Sequence, residues 1–165
     1  MKWTRQTLGP DDVAVLQYTG GTTGVSKGAV LLHRNVSANL LQSEAWNAPA
    51  LKDMPPGEQL VSVCALPLYH IFAFTINMML GMRMGWRNIL IPNPRDLGGV
   101  LKELSKYKVH SFPAVNTLFG GLANHPDFDK VDWSHLRVSL GGGTAVQSGV
   151  AKLWLSKTVC PVVEG

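Results

Sequence analysis

The chain has 165 residues, about one domain's worth, and a domain of that size removes roughly two-thirds of its unfolded surface from water. Hydrophobic residues make up 45% and charged residues only 16%, against a usual ~25%, which excludes a disordered or heavily solvated chain and suggests surface normally covered by other protein. The net charge of +4 comes from lysines and arginines scattered without a dense run, so there is no clustered nucleic-acid footprint.

The first residues, Met1-Lys-Trp-Thr-Arg5, carry no apolar core of a signal peptide. Val13 to Tyr18 and Ala29 to Leu32 read as short strands joined by a loop of glycines and threonines. A helix is expected over 35–46, and residues 47–59, with Pro49, Pro55, Pro56 and Gly57, as a breaker-rich surface loop. From Leu60 one unit repeats: a short β-rich run, a turn, then a helical pattern. Leu60–Leu66, Asn88–Pro92, Val109–Phe112, Leu136–Leu140 and Val159–Val163 are the strand runs. The apolar stretch Ile71–Met82 is a helix too short for a membrane span, which needs about 20 residues.

Asp96 is the expected N-cap of a helix with Leu97, Val100, Leu101 and Leu104 on one face. Val115, Leu118, Phe119 and Leu122 repeat that spacing, and Thr144-x-x-Gln147 reads as a capping box opening a last helix. Strands alternating with helices predict an α/β fold, a largely parallel sheet with flanking helices, preceded by the strand–loop–strand element. Trp46, Trp86, Trp133 and Trp154 are expected in the core. The two cysteines, Cys64 and Cys160, lie far apart outside any Cys/His cluster, which argues against a zinc site or a disulfide scaffold and suits a reducing cytosol.

The densest chemistry lies in Tyr18-Thr19-Gly20-Gly21-Thr22-Thr23-Gly24-Val25-Ser26-Lys27-Gly28. Glycines let the backbone turn tightly and expose N–H groups that can form an anion-binding concavity. The hydroxyls and Lys27 complete the parts of a polyphosphate cradle. A flexible linker is the plain alternative, but it needs neither a lysine at a fixed place nor strands on both sides. The stretch is not GxxxxGK[ST], because Lys27 is followed by Gly28 and a β-like run, and it is not GxGxxG. His70, taken alone, is a core histidine beside Ile71 and Phe72. Phe74 lies four residues on, on the same face of a helix, and packing of an apolar helix accounts equally well for Phe74, Met78 and Met79. Gly141-Gly142-Gly143 reads first as a strand-to-helix turn, at the place where open α/β sheets bind ligands.

Leu16-x-x-Thr-Gly-Gly-Thr-Thr-Gly-Val-Ser-Lys27-Gly28 resembles, position for position, the AMP-binding signature of the adenylate-forming superfamily. Leu66-Pro-Leu-Tyr-His-Ile-Phe-Ala73 and Ser139-Leu-Gly-Gly-Gly-Thr144 resemble its following motifs in order. Asn93-Pro-Arg-Asp96 and Val115-Asn-Thr-Leu-Phe119 look most like bacterial long-chain fatty-acid–CoA ligases.

The resemblance implies ATP, magnesium and coenzyme A as cofactors and co-substrate, and a fatty acid as substrate. It implies contact with the β- and γ-phosphates by the 19–28 loop, above all Thr19, Thr22, Thr23 and Lys27. The same likeness sets His70 beside the acyl carboxylate, Phe74 at the entrance of an acyl tunnel, and Gly141–Gly143 with Glu164 on the nucleotide side. Lys27 and His70 are supporting catalytic candidates; no catalytic set is complete. The family's magnesium-binding Glu is expected beyond Gly165, as are its ribose-binding Asp, hinge and C-terminal domain. The whole chain 1–165 thus reads as one central piece of an adenylation domain, inactive alone. A cytoplasmic location, contact with the inner face of the membrane, a homodimeric parent and self-association through uncovered apolar faces complete the expectations. An adenylating enzyme for an aryl or amino acid and a non-catalytic nucleotide- or acyl-binding module are the alternatives.

Overall fold

A computed structural model describes residue 4, residues 6–19 and residues 26–165, with only the backbone of Thr19. Strands β1 (Val13–Thr19) and β2 (Lys27–Leu32) pair antiparallel, Val15 opposite Leu31 and Thr19 opposite Lys27. The Tyr18 ring lies across Gly28, so close that an added Cβ would sit 3.3 Å from it. The hairpin leads straight into α1 (His33–Leu51). That junction is tied down by His33 N–H to Asp12 O and Arg34 N–H to Pro10 O, and Asn35 Oδ1 accepts the N–H of Leu32.

Helix α1 runs five residues past the expected end and carries Pro49 inside it. Proline costs a helix one hydrogen bond and a clash with the preceding turn, which suffices to end it two residues later rather than to prevent it. The expected loop is therefore confined to the residues after Leu51.

The remaining elements are β3 (Val61–Cys64), α2 (Ile71–Ala73), a π-helical segment (Phe74–Leu80), α3 (Gly81–Met84), β4 (Arg87–Leu90), α4 (Leu97–Leu104), β5 (Ser111–Ala114), α5 (Asn116–Ala123), two 3₁₀ turns (Phe128–Lys130 and Trp133–His135), β6 (Val138–Gly141), α6 (Ser148–Thr158) and β7 (Val162–Glu164). Strands β3 to β7 form a five-stranded, wholly parallel sheet in the order β4-β3-β5-β6-β7. The expected α/β class holds, with strands shorter than the apolar runs that announced them. Val109 and Leu136 are buried yet lie ahead of the ladders, in the segments that enter β5 and β6. Apolar composition marks burial; only backbone pairing makes strand. Val159 is not in a strand at all: it ends α6 in the left-handed region at φ 60° and is exposed.

Helices cover both faces of the sheet. On one, α4, α5 and α6 bury Val100, Leu101, Leu104, Leu118, Phe119, Leu122 and Trp154 against Val61, Val63, Phe112 and Ala114. Asp96 caps α4 as expected, accepting the N–H of Gly99 at 3.0 Å. On the other face, the π segment with Ile76 and Leu80 packs on Val138 and Leu140, and Leu40 and Leu51 of α1 lie against this smaller cluster.

The π segment follows from one asparagine. Asn77 is fully buried; its amide donates to Val63 O at 3.0 Å, and its own carbonyl accepts Asn88 Nδ2 at 2.8 Å. A carbonyl taken by a side chain is free of the α-helical ladder, and the turn widens there.

Candidate active site

In a parallel α/β sheet the carboxyl ends of the strands meet the amino ends of the helices, and ligands bind there. At this edge β6 ends in Gly141-Gly142-Gly143. The glycine pattern has an account within the protein itself. A Cβ on Gly141 would collide with Val146 Cγ2, and one on Gly142 would lie 2.8 Å from the Phe72 ring. Gly143 has φ +79°, which disfavours any side chain. Together with Thr144, Ala145, Glu164 and Gly165 these glycines line a cleft of about 360 Å³.

The expected capping box at Thr144 and Gln147 is not formed: α6 begins at Ser148, with no side-chain cap from Gln147. Distant side chains serve instead. Glu164 Oε1 accepts the N–H of Val146 at 2.7 Å, and Asn116 Oδ1 accepts that of Gln147 at 2.9 Å. Glu164, facing Gly141 in the β6–β7 ladder, is thus partly committed to holding this turn. It is the one carboxylate lining the cleft, so the described residues do not by themselves build a magnesium site.

A larger cavity of about 610 Å³ adjoins the cleft and shares Glu164 and Gly165 with it. Its walls are α1, the Ile71–Ile76 stretch and Leu140 of β6. Its volume falls in the usual ~300–1,000 Å³ of small-molecule sites. Phe72, Thr75 and Ile76 face it; Phe74, half-buried, is not on its wall. The switch to π winding at Phe74 changes which residues share a face, so four-residue spacing loses its meaning there.

His70 is exposed, not a core histidine. It caps α2, its Nδ1 accepting the N–H of Phe72 at 3.3 Å. With Nδ1 as acceptor the neutral ring carries its proton on Nε2, which presents a donor suited to a carboxylate. Gln17 Nε2 reaches the carbonyl of Tyr69 at 3.5 Å, linking β1 to this segment. Tyr18, Ser26, Lys27 and Gly28 stand on the exposed hairpin. Gly20, Gly21, Thr22, Thr23, Gly24 and Val25 lie outside the described residues, as does the Thr19 side chain.

Two features escaped the sequence reading. Trp46, expected in the core, is 51% exposed and stands on the wall of the large cavity. At the opposite, amino end of the sheet, Glu58, His110 and His135 hold donor atoms within 4.8 Å of one another. His110 is buried, and burial pushes its imidazole below the ordinary value, with Glu58 pulling the other way. This is not a cation cage: His110 Nδ1 already accepts the N–H of Val61 at 3.1 Å, so Nε2 bears the proton and has no lone pair for a metal. No signal of spacing could have found it, because the three residues come from three separate strand entries.

No described helix is long and apolar enough to cross a membrane. A parallel α/β sheet with a glycine-rich cleft and an adjoining, largely apolar cavity at its carboxyl edge has the layout of the ligand-binding α/β folds. The family described as AMP-binding enzyme matches residues 2–165, and the chain belongs to it. It is 51% identical to the long-chain-fatty-acid–CoA ligase of Escherichia coli O157:H7 and 50% identical to that of Yersinia pestis, each over all of this chain and 29% of the relative. The chain therefore spans about a third or less of the curated relatives it matches. The crystal structure of ATP-bound MatB from Rhodopseudomonas palustris superposes with a TM-score of 0.76 at 26% identity, covering 94% of this chain and 29% of that one.

Proposed function

We propose that the chain supplies the nucleotide cleft and acyl cavity of an ATP-dependent long-chain fatty-acid–CoA ligase. The observation that carries the reading is the junction of the two cavities at Glu164 and Gly165. A fatty acid in the apolar cavity would bring its carboxylate to the mouth of the cleft. In the first half-reaction a carboxylate oxygen bonds to the α-phosphorus of ATP and the bond to the β-phosphate oxygen breaks, releasing pyrophosphate. In the second, the thiol of coenzyme A loses its proton, its sulfur bonds to the acyl carbon, and AMP leaves. Both steps gain chiefly from positioning and from charge held where it develops. In this scheme the Nε2–H of His70 orients the carboxylate, and Lys27 with the threonines of the 19–28 loop steadies the β- and γ-phosphates. Magnesium belongs to this chemistry through carboxylates other than those lining the cleft.

ATP–pyrophosphate exchange by the complete ligase, with fatty, aryl and amino acids in parallel, tests the reading. Exchange with long-chain fatty acids and its loss in Lys27→Ala are expected; exchange with aryl or amino acids alone would overturn it. The 165-residue chain by itself is expected to bind ATP without forming acyl-CoA, and calorimetry with ATP, AMP and palmitate separates a binding module from an inert piece. Leu16, Tyr18 and Val30 stand exposed on the hairpin, which supports self-association of the isolated chain; sedimentation at rising concentration should show it, and a strictly monomeric particle would remove it.

A further inference from the structure

The five-stranded sheet has one sparse joint. Strands β3 and β5 meet in register only at Ser62 opposite Ser111, whereas the β5–β6 ladder runs from Ser111–Val138 to Ala114–Gly141. His110, the residue that enters β5, ties this joint together. Its N–H donates to Val61 O at 2.9 Å, and its carbonyl accepts the N–H groups of Arg137 and Val138 at 2.8 and 3.1 Å. The last tie is a side chain in the place of a backbone acceptor: Nδ1 takes the N–H of Val61 at 3.1 Å.

The His110 residue is 2% exposed, and its Nε2 has no hydrogen-bond partner among the described residues. Charged and titratable groups approach the ring from several elements. Glu58, ahead of β3, holds Oε1 3.6 Å from Nε2 and 3.7 Å from Lys108. His135, on the second 3₁₀ turn, has its ring centroid 6.0 Å away and pairs with Asp132; Arg137 lies at the entry to β6. Burial is the largest influence and opposes a charged imidazole, as do His135 and Arg137, while Glu58 favours one. The neutral ring is therefore the native form, and only that form leaves Nδ1 a lone pair for Val61.

We propose that His110 is an acid-sensitive latch across the β3–β5 joint. A proton taken from water onto Nδ1 turns the acceptor into a donor, and the Val61 N–H then faces another N–H. The bond between them is lost, and a buried backbone donor is left without a partner. Ile71, Phe72 and Ile76 follow β3, while Leu140 lies in β6 and Glu164 in β7. The joint thus runs between opposite walls of the large cavity, and acid loosens the sheet along that line. With the latch open, the solvated imidazole titrates near its ordinary 6.5; closed, it titrates lower. Between those two values the open form holds one proton more, so opening becomes about tenfold easier per pH unit of acidification. The latch holds fully above 6.5 and is lost as pH falls towards the folded value.

Native-state hydrogen exchange in the intact protein tests the latch, with protection of the Val61 amide followed from about pH 8 to about pH 5, across the ordinary histidine range. Protection should be level at the alkaline end and fall about tenfold per pH unit once below the ordinary histidine value. In His110→Asn the side-chain Oδ1 takes the place of Nδ1 and accepts at every pH, so protection should stay level throughout. Level protection in the native protein overturns the proposal, and that result needs no variant. Parallel falls in the native protein and in His110→Asn also overturn it, since the proton then acts elsewhere. Nitrogen NMR of the His110 ring gives an independent reading: the proton should sit on Nε2 at neutral pH, with a titration midpoint below 6.5. A ring protonated on Nδ1 at neutral pH overturns the latch as well.

Discussion

The two faces of the sheet are built to different ends. Under α4, α5 and α6 the interior is filled by a set of rings: Phe112 stacks on Trp154 at 5.4 Å, Phe119 meets the same indole edge-on at 4.8 Å, and Phe128 stacks on Trp133 at 5.0 Å. Under α1 and the π segment the buried cluster is far smaller, and the space beside it is a cavity. The first face has twenty buried side chains in its cluster and the second six, so folding energy is concentrated on the side away from the ligand cavity. The lesson is a division of labour: a close-packed face fixes the sheet, and the looser face can hold a ligand without the fold depending on it.

Trp154→Ala attacks the tight face where the loss should be largest. The side chain is fully buried, touches four other aromatic rings and donates through Nε1 to Ser139 Oγ at 2.9 Å. Large aromatic truncations cost about 3–5 kcal/mol, and the Ser139 hydroxyl would lose a partner as well. Against a usual total of about 5–15 kcal/mol, urea unfolding should show a midpoint far below the native one or no folded baseline. A loss under about 1 kcal/mol would mean that the two faces do not differ as argued.

Gly142→Ala works at the seam between the faces. The new Cβ would stand 2.8 Å from the Phe72 ring, so the ring must shift to make room. Overpacking of this kind costs about 1–3 kcal/mol and should push Phe72 towards the large cavity whose wall it forms, lowering stability and the cavity's volume together. Gly149→Ala is the control: nothing lies within 4 Å of the added carbon, and the unfolding midpoint should hold or rise. Equal losses in both variants would show that the contact with Phe72 is not the cause.

The difference between the faces also decided what could be read from the amino-acid pattern. Period-2 and period-3.6 patterning located α4, α5 and the strand runs because these elements bury regular stripes on the tight face. The same logic failed at Trp46, since α1 buries little and its length is set by capping and by the hairpin rather than by an apolar stripe. At Thr144 it failed because local capping chemistry was present in sequence but outcompeted by Glu164 and Asn116, which arrive from elsewhere in the fold. The π winding was invisible for a similar reason: it depends on the reciprocal pairing of Asn77 with Asn88, eleven residues away. The glycine-rich cleft was legible as a motif, but two of its glycines are required by Val146 and Phe72, contacts that only the folded chain displays.

A smaller effect concerns the two thiols. Burial raises Cys64, with the Leu66 backbone acting the other way, and burial raises Cys160 against its hydrogen bond from Ser139. The folded state therefore keeps its protons to higher pH than the unfolded chain, whose thiols titrate near 9.0. Above that value the unfolded state has released protons the folded state still holds, so stability present below pH 9 declines as pH rises through the folded values. Thermal midpoints should fall above pH 9, and less steeply in the Cys64→Ala, Cys160→Ala double variant. Identical slopes would assign the alkaline loss to other groups. Native thiols should also react slowly with alkylating agents, because the thiolate is the nucleophile.

The smallest stability effect is expected at the other tryptophan, and it completes the contrast. Trp46 is 51% exposed where Trp154 is 0%, so Trp46→Ala should shift the unfolding free energy by no more than about 0.5 kcal/mol, the usual scale for surface substitutions. The two indoles are chemically the same group, so the gap between the variants measures what burial and ring contact add on the tight face. A loss in Trp46→Ala approaching that of Trp154→Ala would show that α1 depends on this indole to stay docked, and the looser face would then share in folding. A near-zero loss would show that the looser face keeps its helix docked without this indole, and that the rings packed under α4, α5 and α6 carry the difference.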